Sequence, residues 1–319
     1  MRILLTTTSF QDTPGPHHEM LKNSGFEVVN ARGPLTEAQM LAHVKTGFDG
    51  FLNGDDLITA KVIDAALPRL RVIAKYGIGL DSIDVKHATE KKLPILFTPG
   101  VNHTTVAEHC FGLMIAIAKH FWPELRSTKK GEWQRITGHE LAGKTIAVLG
   151  VGRIGKEVIK RAAAFEMQSI GFDPHFDESF GRQYNVARAA SILDAVRVAD
   201  VVSLHMNLDD SNRGLFNRDL LGKMKKGAYL INTARGGLVV EKDIAEACKS
   251  GQLGGYAADV LDKEPPPADH PFREIDNIIV TPHIASRTFE SVERQAMRAV
   301  SNLINFLNGD KDYIQANQF

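Results

Sequence analysis

The chain has 319 residues, 43% of them hydrophobic, with 38 basic and 38 acidic side chains and a sequence pI near 7.2. That length and apolar content predict about two domains with real cores. The charge balance argues against a nucleic-acid footprint or a polybasic membrane anchor. Two cysteines, Cys110 and Cys248, make neither a disulfide framework nor a metal site.

The first ten residues, MRILLTTTSF, read as an opening β-strand rather than a signal peptide. The longest apolar run, residues 110–118, is too short to span a bilayer. A reduced, cytoplasmic setting and a small-molecule partner are expected. Short apolar runs at 3–6, 27–30, 50–52, 72–75 and 95–97 read as strands. Amphipathic stretches such as 36–46 and 59–67 lie between them, which is the βαβ rhythm of a parallel sheet. His17 and His18 lack a metal partner at helical spacing and read as loop residues.

Residues 102–121 follow. Thr105 and Glu108 read as a capping box. The run beyond them is apolar on nearly every face, so its helix must be buried. A position between the domains or in a subunit contact is expected, with His103 and His109 serving that helix and Cys110 as inert core. Residues 121–141 carry Trp122 and Trp133 among charges. They read either as an arm that grips another subunit or as a surface excursion with two half-buried tryptophans.

The rhythm restarts at Lys144. A β-branched run at 145–149 stops at Gly150, and the pattern Gly150-x-Gly152-x-x-Gly155 opens a helix expected to reach about residue 165. A further strand at 169–172 ends on Asp173, 23 positions after Gly150. Each part has a physical task in holding a dinucleotide. Gly150 permits the tight turn, Gly152 lets a pyrophosphate approach the backbone, and Gly155 lets helix and strand pack closely. The helix N-terminus offers N–H groups and a positive dipole end to the phosphates. Asp173 can accept both ribose hydroxyls, and its charge opposes a 2′-phosphate, so NAD is expected over NADP. Later strands are expected at 201–205, 228–232, 255–260 and 278–280. A terminal helix at 286–307 is expected to pack back on the first domain. The reading is α/β, with two doubly wound parallel-sheet domains.

Ligands in such sheets bind at the carboxyl ends of strands. Three polar residues stand there: Arg235 after LINTA, Glu264 after DVLDK, and His283 after IIVTP. The planar guanidinium of an arginine suits a carboxylate. A histidine exchanges protons near neutral pH, and a neighbouring carboxylate orients it and favours its charged form. Together these are the parts needed to reduce a 2-oxo acid with NADH. His205 also ends a strand, but its Met206 and Asn207 neighbours suggest packing.

With these motifs in place the chain resembles the D-isomer-specific 2-hydroxyacid dehydrogenases, and phosphoglycerate dehydrogenases most of all. The resemblance rests on KYGIGLDSID (75–84), TPGVNHTTVAEH (98–109), GVGRIGKEV (150–158), INTARGGLVVE (231–241), AADVLDKEPP (257–266) and TPHIAS (281–286). It implies a Rossmann NAD-binding domain at 101–284 and a flavodoxin-like substrate domain from 1–100 and 285–319, with a cleft between them and a homodimer formed through the cofactor domain. It implies that Arg235, Glu264 and His283 bind substrate and move the proton. It implies that Arg153 and Ile154 touch the pyrophosphate, that Thr233, Ala234 and Asp259 line the nicotinamide, and that Ile78 nears the cofactor. Lys75, Tyr76, Gly77, Ile78 and Gly79 would cradle the substrate carboxylate. Position 75 is Lys where phosphoglycerate dehydrogenases often carry Arg, and the chain stops short of their C-terminal regulatory domain. Both features leave glycerate, hydroxypyruvate, glyoxylate and lactate-type substrates open beside D-3-phosphoglycerate. An NAD(H)-sensing protein like the co-repressors of the family, or a formate or phosphite dehydrogenase, are the other readings. No metal is expected.

Overall fold

The computed structural model describes residues 1–319, which divide into two compact units: residues 1–102 with 287–319, and residues 103–286. In the first unit, strands β1 (Arg2–Leu5), β2 (Glu27–Asn30), β3 (Gly50–Asn53), β4 (Val72–Lys75) and β5 (Ile95–Leu96) form one sheet in the order β2-β1-β3-β4-β5. Every pair is parallel, in the flavodoxin-like order. β3 and β4 are buried along their whole length; each is apolar up to its last residue, Asn53 or Lys75, as expected of strands covered on both faces.

Successive strand side chains point to opposite faces, and the core divides accordingly. Phe51, Ile73 and Ile95 join Met40, Val62 and Ile63 on one face. Ile3, Leu5, Leu52 and Val72 join Ala296, Ala299, Val300, Leu303 and Leu307 on the other. Those last five belong to the C-terminal helix Phe289–Asn308, whose apolar stripe recurs at helical spacing. Thr288 caps its start by accepting the Ser291 N–H, and Gly309, at φ +88, ends it. The capping box begins instead at Thr36, with Gln39 as its partner, ahead of helix Glu37–Val44. His17 and His18 are not loop residues. They lie in helix Pro16–Asn23, where the fully buried His17 packs edge-on against Phe10.

The second unit carries β6 (Thr145–Leu149), β7 (Gln168–Phe172), β8 (Val186–Arg188), β9 (Val201–Leu204), β10 (Ala228–Asn232), β11 (Leu253–Ala258) and β12 (Ile278–Val280). Their order is β12-β11-β10-β9-β6-β7-β8, again all parallel. The direction of winding reverses between β6 and β9, which is where doubly wound sheets open a ligand crevice. β8 is an addition to the expected strands. β11 ends before Asp259 rather than after it, so that carboxylate lies in the loop beyond the strand.

The apolar helix spans His103–Ala118. It starts before Thr105, so Thr105 and Glu108 form no capping box; Thr105 is buried inside the helix and Glu108 pairs with Arg161 at 3.2 Å. Its buried face packs on the second unit's own sheet through Ala107, Phe111, Met114 and Ile117 against Ile146, Val148, Ile231 and Ala257. Trp122 and Trp133 are 53% and 77% exposed, and Phe121 and Leu125 stand exposed beside them in sequence. No helix is long and apolar enough to cross a membrane.

Candidate active site

The glycine turn after β6 is fixed by crowding at two of its three glycines. A Cβ on Gly150, at φ +93, would lie 2.6 Å from the carbonyl of His205, and one on Gly155 would lie 2.1 Å from the Gly150 oxygen. Gly152 differs, because a Cβ there would meet nothing within 4 Å. It is the exposed N-cap of helix Arg153–Ala164, and no side chain caps that helix. First-turn N–H groups are thus left for an anion. Arg153 stands exposed at the first helical position with Ile154 half-buried behind it.

Asp173 follows β7 and is tied to this turn. Its Oδ2 accepts the Val151 N–H at 2.8 Å and its Oδ1 accepts the His175 N–H at 2.8 Å. Each carboxylate oxygen keeps a lone pair for a hydroxyl. A hollow of about 480 Å³ adjoins it, lined by Phe172, Asp173, Pro174, Arg188, Ala189 and Ala190. The one cation there, Arg188, is paired with Glu178 at 2.7 Å. An open helix start, an acceptor at the next strand end and an adjoining hollow fit NAD.

Arg235, Glu264 and His283 follow the carboxyl ends of β10, β11 and β12, which are neighbours in the sheet. His283 Nδ1 lies 2.7 Å from Glu264 Oε2, while Glu264 Oε1 accepts the Leu261 N–H at 2.9 Å. The Arg235 loop touches the Glu264 loop. A Cβ on Gly236 would fall 1.9 Å from the Leu261 carbonyl carbon, so only glycine permits this approach. Asn232 braces the same turn, accepting the Ala234 N–H at 3.0 Å and donating to the Arg235 carbonyl at 2.9 Å. Sequence reading missed this bracing. Arg235 itself donates Nη1 to the Ala234 carbonyl at 2.7 Å.

Thr233 and Ala234 are buried in that turn, and Thr233 Oγ1 has no hydrogen-bond partner in the chain. A buried polar atom without a partner points to a ligand or water. Asp259 is 1% exposed and already holds three donors: Thr281 Oγ1 at 2.6 Å and the N–H groups of Ile284 and Ala285 at 2.9 and 2.7 Å. Its carbonyl accepts the His283 N–H at 3.0 Å.

In the first unit, Lys75 ends β4 with its ammonium turned inward. It is 2% exposed and donates to the Gly54 carbonyl and to Asp55 Oδ1, both at 2.6 Å. The buried Tyr76 gives its N–H to Asn53 and Gly77 gives its own to Thr98 Oγ1. Ile78 and Gly79 keep the N–H groups of this loop that remain for an anion.

Two further polar side chains meet at Ser203, and His205 Nδ1, like Thr233 Oγ1, is a buried atom without a partner in the chain. His205 Nε2 lies 2.7 Å from Ser203 Oγ, and burial pushes the imidazole down to about 3, so it is neutral. Cys110 Sγ lies 3.2 Å from the same hydroxyl, and burial pushes its thiol up to about 12, which leaves it unreactive. Both cysteines are free and buried.

Residues 111–285, more than half of the chain, match the family model for the NAD binding domain of D-isomer specific 2-hydroxyacid dehydrogenases. The chain belongs to the D-2-hydroxyacid dehydrogenase family. These are NAD-dependent oxidoreductases. It is 36% identical to D-3-phosphoglycerate dehydrogenase of Methanocaldococcus jannaschii over 97% of its own length, but spans only 58% of that relative. It is 38% identical to glyoxylate reductase of Thermofilum pendens over 93% of the chain and 90% of the relative. It is 38% identical to hydroxypyruvate reductase of Thermotoga maritima over 78% of the chain and 81% of the relative. Among solved structures, a Thermus thermophilus protein superposes with a TM-score of 0.90 at 34% identity, covering 99% of this chain and all of that one. The two parallel-sheet units are those of this dehydrogenase family.

Proposed function

We propose that this chain is an NAD-dependent dehydrogenase that moves a hydride between nicotinamide and a small D-2-hydroxy acid or its 2-oxo counterpart. The 2.7 Å contact of His283 Nδ1 with Glu264 Oε2 carries the reading. A carboxylate accepts, so Nδ1 donates, and Nε2 becomes the nitrogen that gives or takes the reacting proton. Bound NAD supplies the hydride acceptor, and NADH the donor. His283 protonates the carbonyl oxygen in reduction and removes the hydroxyl proton in oxidation. Arg235 holds the carboxylate with its fork and polarises the ketone.

The cofactor is assigned to Gly150, Gly152, Arg153, Ile154 and Gly155 at its pyrophosphate and to Asp173 at its adenosine ribose. Thr233, Ala234, Asp259 and Ile78 are assigned to the nicotinamide side. Lys75, Tyr76, Gly77, Ile78 and Gly79 are assigned to the substrate, with the N–H groups of Ile78 and Gly79 meeting its carboxylate. The first unit is read as the substrate domain and the second as the cofactor domain. The exposed Trp122 and Trp133 favour a homodimer through the cofactor domain, and free cysteines fit a reducing cytoplasm.

The substrate is read as small and singly charged, of the glyoxylate or hydroxypyruvate kind. The Lys75 ammonium already rests on Asp55, which leaves no unmatched cation on this residue for a phosphate. A panel of 2-oxo acids offered with NADH, and in parallel with NADPH, tests the reading. NADH oxidation by at least one small 2-oxo acid, with NADPH poorly used, is the expected result; folded, NAD-binding protein that reduces none of them refutes it.

A further inference from the structure

A second histidine stands behind His283. His109, on helix His103–Ala118, has Nε2 at 2.8 Å from Thr281 Oγ1. Thr281 Oγ1 in turn lies 2.6 Å from Asp259 Oδ1. The direction of this chain follows from its chemistry. A carboxylate accepts, so the single hydroxyl proton of Thr281 goes to Asp259. Its other acceptor, the Ala258 carbonyl, is 3.4 Å away. Thr281 Oγ1 can then only accept from His109, and Nε2 is the protonated ring nitrogen. That same nitrogen lies 3.5 Å from Asp259 Oδ1.

The chain of bonds ends on the backbone that carries His283. Three consecutive N–H groups converge on Asp259: His283 on its carbonyl, Ile284 on Oδ1 and Ala285 on Oδ2. His283 sits at φ +52, a left-handed conformation that a histidine keeps only when its surroundings enforce it. A carboxylate 1% exposed must have its lone pairs met by donors, or it moves. The hydroxyl held by His109 is one of those donors.

We infer that His109 is a positioning residue for His283, acting through Thr281 and Asp259. This rests on the reading of His283 as the group that moves the proton. Without the His109 donor, the Thr281 hydroxyl is free to rotate away and Asp259 loses part of its clamp on residues 283–285. Displacement of a reacting group by about 1 Å can cost on the order of 10²-fold in rate.

The test uses the full chain with NADH and the 2-oxo acid it reduces best. His109→Phe keeps a ring and removes the donor; kcat is expected to fall about 10-fold or more while the substrate KM stays within about threefold. His109→Gln retains an N–H donor at a similar reach, and kcat is expected to stay within about threefold of the parent. Thr281→Val should lose about as much as His109→Phe, and the double variant should lose no more than Thr281→Val alone, because both act on one relay. A parental kcat in His109→Phe, an equal loss in His109→Gln, or losses that multiply in the double variant would each overturn the inference. Thermal unfolding checks folding. Should His109→Phe not fold, Thr281→Ser against Thr281→Val decides: a retained hydroxyl must retain kcat, and equal losses refute the relay. His283→Ala separates the two levels. Full turnover in that variant overturns the underlying reading and the relay with it, whereas a large loss there beside an unaffected His109→Phe sinks the relay alone.

Discussion

His283 and Glu264 are 19 residues apart in the chain, yet Nδ1 and Oε2 meet at 2.7 Å. The contact is built by two neighbouring strands, β11 and β12, whose loops carry one residue each. Glu264 is held in turn by the Leu261 N–H, so its carboxylate approaches the ring from a fixed direction. Removing it frees the imidazole to rotate and to change tautomer. Glu264→Ala is therefore expected to lower kcat by about 10- to 10²-fold with little change in NADH affinity. Steady-state kinetics beside NADH fluorescence titration checks this, and an undiminished kcat excludes Glu264 from the machinery.

Two glycines of the same motif should fail in different ways. Gly155→Ala places a methyl 2.1 Å from a backbone oxygen, which helix and strand can relieve only by moving apart. A loss of about 1–3 kcal/mol in stability is expected. Gly152→Ala meets no protein atom within 4 Å and its φ of −78 suits alanine, so the fold should be unaffected. Its methyl instead occupies the approach to the helix N-terminus, and NAD affinity is expected to fall about tenfold or more. Chemical denaturation and calorimetric titration of both variants distinguish the two effects.

Lys75 and Asp55 bear on which acid is used. With its ammonium held at 2.6 Å by a carboxylate, Lys75 presents little net charge. The chain is expected to prefer hydroxypyruvate or glyoxylate to 3-phosphohydroxypyruvate in kcat/KM. Asp55→Asn removes the matching charge and should raise relative use of the phosphorylated acid several-fold. Competition assays with the two acids measure the ratio. A parent protein that favours the phosphorylated acid contradicts the assignment.

Stability should respond to acid through His205. Its pKa is about 3 in the folded chain because burial disfavours the cation, against about 6.5 in an unfolded one. The unfolded state therefore binds more protons below pH 6.5, and folding stability falls as pH drops from there toward 3, by at most about 1.4 kcal/mol per unit. His205→Gln removes this titration. Between pH 7 and 5 its melting temperature should drop less than that of the parent, and parallel curves would exclude the effect.

The alternation of strands and helices was legible because parallel strands buried on both faces must be largely apolar, and the glycine turn because crowding leaves no other residue possible at Gly150 and Gly155. β8 escaped notice: Val-Ala-Arg is short, and two of its three residues are exposed. The start of helix His103–Ala118 was misread because Thr105 and Glu108 have capping-box spacing while standing inside the helix. Arg235, Glu264 and His283 stood out as candidates from their places after apolar runs, and of these the structure joins His283 to Glu264. The support beneath them did not stand out. Thr281 is 172 residues from His109, and nothing in the sequence around Asp259 says that its oxygens are occupied by the backbone of residues 284 and 285. The left-handed backbone of His283 is likewise invisible where no glycine marks it.

The central claim is that His283 moves the proton that accompanies hydride transfer. Replacing His283 by Ala and measuring both NADH binding and single-turnover reduction of the preferred 2-oxo acid tests it most directly. NADH affinity should be retained and the rate should fall by about 10²–10⁴. A variant that binds NADH and reduces the acid at the parental rate would contradict the account.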